Sequence, residues 1–474
     1  MFFIKKHRFS CIVITVVLYI LIGTMAPFVI YPEISEYTKA TVSTEQFFEN
    51  TASEERAMIL ETGQSAWEER IRLMDRAEKR IVLTTFDMRE GQSTEDILSV
   101  ILHKADEGVS VKILIDGISG FLRMEGRPVF YALSTHPNVE IKIYNPVNIL
   151  LPWRLQGRMH DKYVMVDEKA YILGGRNSFD YFIGSYETEN NSLDREVLIY
   201  DPDSDPEGSI KQLDTYFDSV WNMDVCRLFH DDPSLAKHPK VMEQRKVLEE
   251  RYSYLRENYP ELFGKYDYKE VTVPVDGVRL VTNPTGIYAK EPVVFYTMTE
   301  LMMGAEERVD LHTPYIVCTD YMYEKLGEVA DKVQNSRMVI NSVENGDNIV
   351  ASSDYLWNKP SVIDIGFDLY EYDGGTSTHG KSIVIDDDIA VVGSYNFDLR
   401  STYMDTEMML VVRSKGLAGE LQSYMNVLEK DCRHIVDTEK DETPEHLNVT
   451  ALPAGRYVVL RLIGLVLKPF RFVI

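Results

Sequence analysis

His160-Asp161-Lys162-Tyr163-Val164-Met165-Val166-Asp167 is followed at fixed distance by Gly174-Gly175 and Asn177, and the pattern returns as His379-Gly380-Lys381-Ser382-Ile383-Val384-Ile385-Asp386 with Gly393-Ser394 and Asn396. Every gap inside the two copies is the same, so the chain carries a duplicated half. In an extended segment side chains alternate between faces, so His160 shares a face with Lys162, and His379 with Lys381. Each half thus offers one imidazole and one ammonium to a common surface. One histidine can attack phosphorus while the other protonates the departing alcohol, and two lysines offset the charge on the non-bridging oxygens. The pattern implies a phosphoryl-transfer site assembled from two equivalent halves.

The residues around each histidine fill in that site. The apolar runs 163–166 and 382–385 read as strands, with the acidic clusters Asp167-Glu168 and Asp386-Asp387-Asp388 as hairpin turns and 170–173 and 389–392 as the returning strands. Asp167 and Asp386 are therefore candidates both for a catalytic role and for a turn scaffold. Gly174, Gly175 and Gly393 let the backbone approach closely, with Ser394 taking the second position in the other copy, and Asn177 and Asn396 can return their amides to a phosphate. A reacting imidazole needs a carboxylate to fix its tautomer, and the candidates are Glu407 in one half and Asp194 or Glu196 in the other. A metal is the rival use of paired histidines, but a lysine two residues on puts a cation where a ligand shell needs a donor. Neither a metal nor another cofactor is expected.

Upstream of the first motif, 65–78 has helical spacing, 80–86 reads as a strand, 94–105 as a helix, and 109–116 and 138–144 as strands. The second half repeats the order with helices at 293–303 and 321–333 and strands at 308–316, 336–343 and 367–372. This alternation predicts an α/β protein of two pseudo-symmetric lobes, each a mixed, largely parallel β-sheet flanked by helices, with the active site at their interface. The length of 474 residues, 45% hydrophobic and 26% charged, suits such a two-lobed body. The expected boundaries are an N-terminal membrane anchor at 1–35, a first lobe at 36–230, a helical connecting insertion at 231–272, a second lobe at 273–432, and an acidic linker with an amphipathic tail at 433–474.

A formal net charge of −25 argues against binding nucleic-acid backbones, which takes clustered Lys and Arg. Cys11, Cys226, Cys318 and Cys432 are too scattered for a disulfide framework or a metal motif. No charge interrupts 9–32, long enough to cross a hydrocarbon core of about 30 Å as a transmembrane helix. Lys5, Lys6 and Arg8 precede it and Glu33 and Glu36 follow, which places the catalytic body outside the cytosol by the positive-inside rule. A cleaved signal peptide is the competing reading, opposed by the length of the run and the lack of an A-x-A-like site. The segment 457–468 is apolar with Arg456, Arg461, Lys468 and Arg471 around it, which suits either an interfacial helix or one packed on the core. The apolar stretch 147–155, just before the first motif, reads as a lipid-dipping loop or as lobe packing.

The double motif resembles the phospholipase D superfamily, and the likeness extends over about 67–427. Arg158-Met159-His160, the run 393–401 and Glu407 resemble the bacterial cardiolipin synthase branch. The resemblance implies a histidine nucleophile in the first motif and a histidine acid in the second. It also implies a membrane-bound phosphatidyltransferase acting on phosphatidylglycerol, an anionic phospholipid, with Arg158 and Arg400 as further candidates for its headgroup. A phospholipase D-type hydrolase would share every motif residue; a nuclease of the superfamily fits the acidic charge and the anchor less well.

Overall fold

The computed structural model describes residues 8–43, 47–49, 54–188, 190–449 and 451–473, so Lys5 and Lys6 lie outside the described residues. The first lobe is built on β1 (Arg56–Leu60), β2 (Arg80–Thr85), β3 (Ser110–Asp116), β4 (Val139–Tyr144), β5 (Tyr163–Val166), β6 (Ala170–Gly174), β7 (Glu196–Tyr200), β8 (Cys226–Leu228) and β9 (Val273–Pro274). They form one sheet in the order β8-β4-β3-β2-β5-β6-β7-β1-β9. The second lobe uses β10 (Gly277–Thr282), β11 (Val309–His312), β12 (Ser336–Asn341), β13 (Asp368–Tyr372), β14 (Ser382–Ile385), β15 (Ile389–Gly393), β16 (Met408–Arg413), β17 (Cys432–Ile435) and β18 (Asp441–Glu442). Its order, β10-β16-β15-β14-β11-β12-β13-β17-β18, repeats the first lobe's arrangement around each motif hairpin.

Both sheets are mixed, but the parallel share is smaller than the helix–strand alternation predicts. Parallel pairing is confined to β2-β3-β4 and β11-β12-β13. These strands are joined by helical crossovers, among them Gln92–Asp106 and Asp320–Lys332. The motif strands and their neighbours are joined by tight turns or return from the far edge, and every other pairing among the named strands is antiparallel. "Largely parallel" is thus corrected to parallel only upstream of each motif.

A continuous apolar layer joins the lobes. Val82, Leu114, Met165, Tyr171 and Leu173 of the first sheet share one buried cluster with Val384, Ala390, Val392, Leu410 and Val412 of the second. Burying each such side chain contributes about 1.5–3 kcal/mol, so the lobes are held as one rigid body rather than hinged apart. Two expected boundaries move. Helix Pro239–Asn258 of the connecting segment sends Leu248, Tyr252 and Leu255 into the first lobe's core. The second sheet continues through β17 and β18, so a boundary at 432/433 cuts a strand.

The hairpin turns settle the role of the motif aspartates. Asp167 and Asp386 both adopt a left-handed backbone with φ 51, which short polar side chains tolerate. The Asp167 carboxylate accepts from the backbone amides of Glu78, Lys79 and Arg80 at 2.8–2.9 Å. Asp386 does the same for Glu306, Glu307 and Arg308 at 2.8–3.0 Å. Each carboxylate pins a motif hairpin to the start of the neighbouring strand, which supports the scaffold reading of both. Asp167→Ala and Asp386→Ala should each destabilise the protein by about 2–4 kcal/mol in chemical denaturation. The folded fraction should keep kcat within about threefold; a loss of kcat on the scale of a histidine variant would restore the catalytic reading.

Candidate active site

Each histidine is placed by a short bridge between lobes. Met159 pairs in parallel with Thr406, and Leu193 with Thr378. The His160 amide donates to Thr406 O at 3.3 Å, and the His379 amide to Leu193 O at 2.6 Å. The next residue after each bridging partner is an acid, so the register delivers a carboxylate from one lobe to the histidine of the other. His160 Nδ1 lies 2.8 Å from Glu407 Oε1, and His379 Nδ1 lies 2.7 Å from Asp194 Oδ2. Both carboxylates are fully buried, whereas the imidazoles keep 13% exposure. The ionised Asp194 only accepts hydrogen bonds, so the His379 ring turns its Nδ1–H to it, and both rings direct Nδ1 to their acids and leave Nε2 for chemistry. The pairing assigns Asp194 rather than Glu196, which instead binds Arg70 at 2.6 and 2.7 Å.

The two acids are held differently. Ser394 and Ser401 each donate a hydroxyl to Glu407, at 2.5 Å, one on each oxygen. Gly175, the counterpart of Ser394, has Asp194 directly against it, and an added Cβ would lie 2.3 Å from Asp194 Oδ1. Burial raises Glu407 to about 8, with Lys162 opposing and Asp405 adding to the rise. Burial alone would raise Asp194 too, but the charges of His379, Lys381 and Arg176 hold it well below the usual carboxylate range. His160 is pushed well down by burial and by Lys162, with Lys381 and His379 of the other lobe adding to the effect. His379 is lowered by burial and Lys381, while Asp194 works against the shift. The bridges and the crossed carboxylate contacts bring both histidine–lysine sets to the seam between the lobes.

Lys162 and Lys381 back-bond to the carbonyls of His160, at 2.5 Å, and His379. Lys381 Nζ also lies 2.8 Å from His379 Nδ1, a contact that Lys162 does not share. Burial lowers Lys162 to about 7 and Lys381 to about 8. Asn177 accepts from the Asp87 amide at 3.2 Å, and Asn396 contacts Ser401 Oγ at 3.5 Å while its Oδ1 is buried without a partner. Arg158 is removed from the headgroup candidates: it is 2% exposed, bonds Asn145 O and Gly157 O, and sits 3.5 Å from Asp116. Arg400 is tied to Gln156 at 2.6 Å and Asp405 at 3.1 Å. Three contributors had escaped the sequence reading. Ser401 sits within the quoted run 393–401 but carries no spacing signal, and the rings of Phe86 and Phe182 pack 5.2 and 5.1 Å from His160 and His379. Among the described residues no group of three His, Cys, Asp or Glu side chains is arranged to hold a metal ion.

Two predictions follow from this geometry. Gly175→Ala should displace Asp194 and lower kcat by about 100-fold or more, whereas Ser394→Gly, which leaves Ser401 on Glu407, should cost about tenfold or less; the reverse order would contradict the packing. Ammonium groups are present below their pKa and lost above it. For an anionic substrate, kcat/KM should therefore fall as pH rises through about 7–8, and a profile flat to pH 9.5 would show that the lysines do not bind it.

Comparison with known proteins agrees with the geometry. The family model described as cardiolipin synthase, phospholipase D-like domain, matches residues 71–221 and 298–428, more than half of the chain. Cardiolipin synthase C of Escherichia coli is 24% identical over 400 residues, covering 76% of this chain and 81% of that protein. Cardiolipin synthase of Staphylococcus aureus is 23% identical over 366 residues, covering 77% of this chain and 65% of that one. Among solved structures, phosphatidylserine synthase of Haemophilus influenzae superposes with a TM-score of 0.64 at 15% identity, over 93% of this chain and 100% of that one. The chain belongs to the cardiolipin synthase family of phospholipase D-like proteins and is an enzyme of the phospholipase D superfamily.

Proposed function

We propose that this protein is a membrane-anchored phosphatidyltransferase that moves a phosphatidyl group from one phosphatidylglycerol to another through a covalent phosphohistidine. The observation that carries a lipid substrate is the path from the N-terminal helix to the site. The segment Ser10–Phe28 is long and apolar enough to cross a membrane, and only 6% of it is buried in the protein. Tyr19 of that helix donates to Leu150 O at 2.8 Å, and Gly23 lies so close to Pro152 that a Cβ would come within 2.5 Å of its ring. Tyr19 is about 14 Å along the apolar segment from Phe28 at 1.5 Å per residue. The loop 147–155 therefore enters the lipid beside the anchor, with Ile149 and Leu150 exposed by 62% and 73%. It continues into Gln156, which holds Arg400, and then to His160.

The asymmetry of the acids supports a division of labour. Neutral His160 attacks phosphorus through Nε2 while Glu407 holds the ring at Nδ1. His379, with an ionised Asp194 behind it, sustains the imidazolium and gives its Nε2 proton to glycerol as the phosphorus–oxygen bond breaks. In the second step His379 takes the proton from the free hydroxyl of a second phosphatidylglycerol, that oxygen attacks phosphorus, and the phosphorus–nitrogen bond breaks to release cardiolipin. Relatives named cardiolipin synthase support this acceptor over water. Arg8 before the helix and Glu33 and Glu36 after it, with Lys5 and Lys6 beyond the described residues, favour an extracytoplasmic body drawing on the outer leaflet.

Purified protein in phosphatidylglycerol bilayers without divalent metal should yield cardiolipin and equimolar glycerol; phosphatidic acid in their place would identify a hydrolase. His160→Ala and His379→Ala should each lower kcat by about a thousandfold or more without unfolding the chain. Quenching the wild-type enzyme early in turnover should trap labelled phosphatidyl on His160, and label elsewhere would overturn the assignment.

A further inference from the structure

We infer that the C-terminal helix Ala454–Leu467 is a second membrane contact whose outer face lies in the headgroup region of an anionic phospholipid bilayer. The inference depends on the anchor but not on the chemistry of the site. The helix is docked on the second lobe along one side. Leu460 is buried, and Gly464 packs so tightly on Trp357 of helix Ile349–Ile363 that a Cβ would meet its ring at 2.4 Å. Trp357 Nε1 donates to Arg461 O at 3.1 Å, and the Arg461 guanidinium lies 3.7 Å over the same indole and donates to Leu356 O at 3.0 Å. Arg471, beyond the helix, pairs with Asp354 at 2.6 Å. Two of the tail's cations are thus spent on docking the helix to the second lobe.

The opposite face is apolar as well. Val458, Val459, Leu462, Leu465 and Val466 are 50–65% exposed and follow the i, i+1, i+4, i+7, i+8 spacing of one helical stripe. A helix already packed on its inner side normally turns polar residues to water, so this stripe has a different neighbour. Arg456 and Lys468, exposed at the two ends of the helix, make no ion pair among the described residues, although the chain carries a net charge of −25. An apolar stripe framed by cations that no carboxylate neutralises is the composition of a helix lying on anionic lipid.

Position identifies the occupant. The segment after the helix returns to the anchor, where the Tyr31 hydroxyl donates to Phe472 O and the Tyr31 ring stacks 3.9 Å from Tyr403. Val473 O accepts from Arg400, the same arginine that holds Gln156 beside the first motif. Tyr31 lies three residues beyond the membrane-crossing segment, so the tail is tethered where the anchor leaves the bilayer. A lipid surface continuous with that of the anchor then covers the stripe.

The test uses the full chain with Cys11→Ser, since Cys226, Cys318 and Cys432 are buried, and with Leu465→Cys carrying an environment-sensitive fluorophore. In mixed phosphatidylglycerol–phosphatidylcholine vesicles, brominated lipids should quench the label by about twofold or more, whereas a label at Glu257→Cys, exposed on helix Pro239–Asn258, should be unaffected. A label at position 465 that is insensitive to brominated lipid and open to aqueous quencher would overturn the inference. Disulfide cross-linking between two Leu465→Cys chains in place of lipid quenching would also overturn it, by showing a second copy on this face. Quenching should weaken when phosphatidylglycerol is omitted; equal quenching in phosphatidylcholine alone would contradict the role given to Arg456 and Lys468.

Discussion

The pairing of each histidine with the acid of the other lobe is the constraint on which this structure depends. His160 answers to Glu407 and His379 to Asp194, so neither motif histidine takes its carboxylate from its own lobe. The bridges Met159–Thr406 and Leu193–Thr378 set both contacts with backbone hydrogen bonds, and the apolar layer between the sheets prevents them from drifting. Proximity to within a few tenths of an ångström is worth orders of magnitude in rate, so the rigid interface is itself part of the catalytic apparatus.

Duplication supplies two similar halves, but the proposed two-step phosphoryl transfer needs two unequal histidines. The inequality comes from a few substitutions around a common frame. Ser394 gives Glu407 a hydroxyl where Gly175 lets Asp194 come directly against the backbone. Asp161, between the first histidine and lysine, is raised to about 7 by burial and by Glu407 and bonds Tyr216, while Gly380 stands in its place in the other copy. One carboxyl is thus pushed up chiefly by burial, and the other is held ionised by the cations around it. The same fold accommodates both because the differences lie in side chains on strands whose backbones match.

The motif, the two lobes and the location of the site were legible in the sequence because the strict spacing of His160, Lys162, Gly174 and Asn177 recurs from His379 onward. The hairpins at Asp167 and Asp386 were readable as turns, but choosing scaffold over catalysis required seeing three backbone amides on each carboxylate. Glu407 was found by its family pattern. Asp194 could not be separated from Glu196, because both lie on one short segment and only register tells which of the two faces the second histidine. Sheet direction was misjudged for a related reason: alternating helices and strands report crossovers, whereas the antiparallel partners β1, β7, β10 and β16 arrive from distant parts of the chain. Arg158 was a candidate both for the headgroup and for a scaffold ion pair, because charge next to a motif histidine gives no hint of burial.

The crossed pairing can be tested in the resting enzyme by nitrogen-15 NMR of the histidine side chains, comparing the wild type with Glu407→Gln and Asp194→Asn. Glu407→Gln should shift the Nδ1 resonance of His160 and leave that of His379 nearly unchanged, and Asp194→Asn should do the converse. If each substitution instead perturbs the histidine of its own lobe, the two halves do not complete one another and the single shared site is wrong.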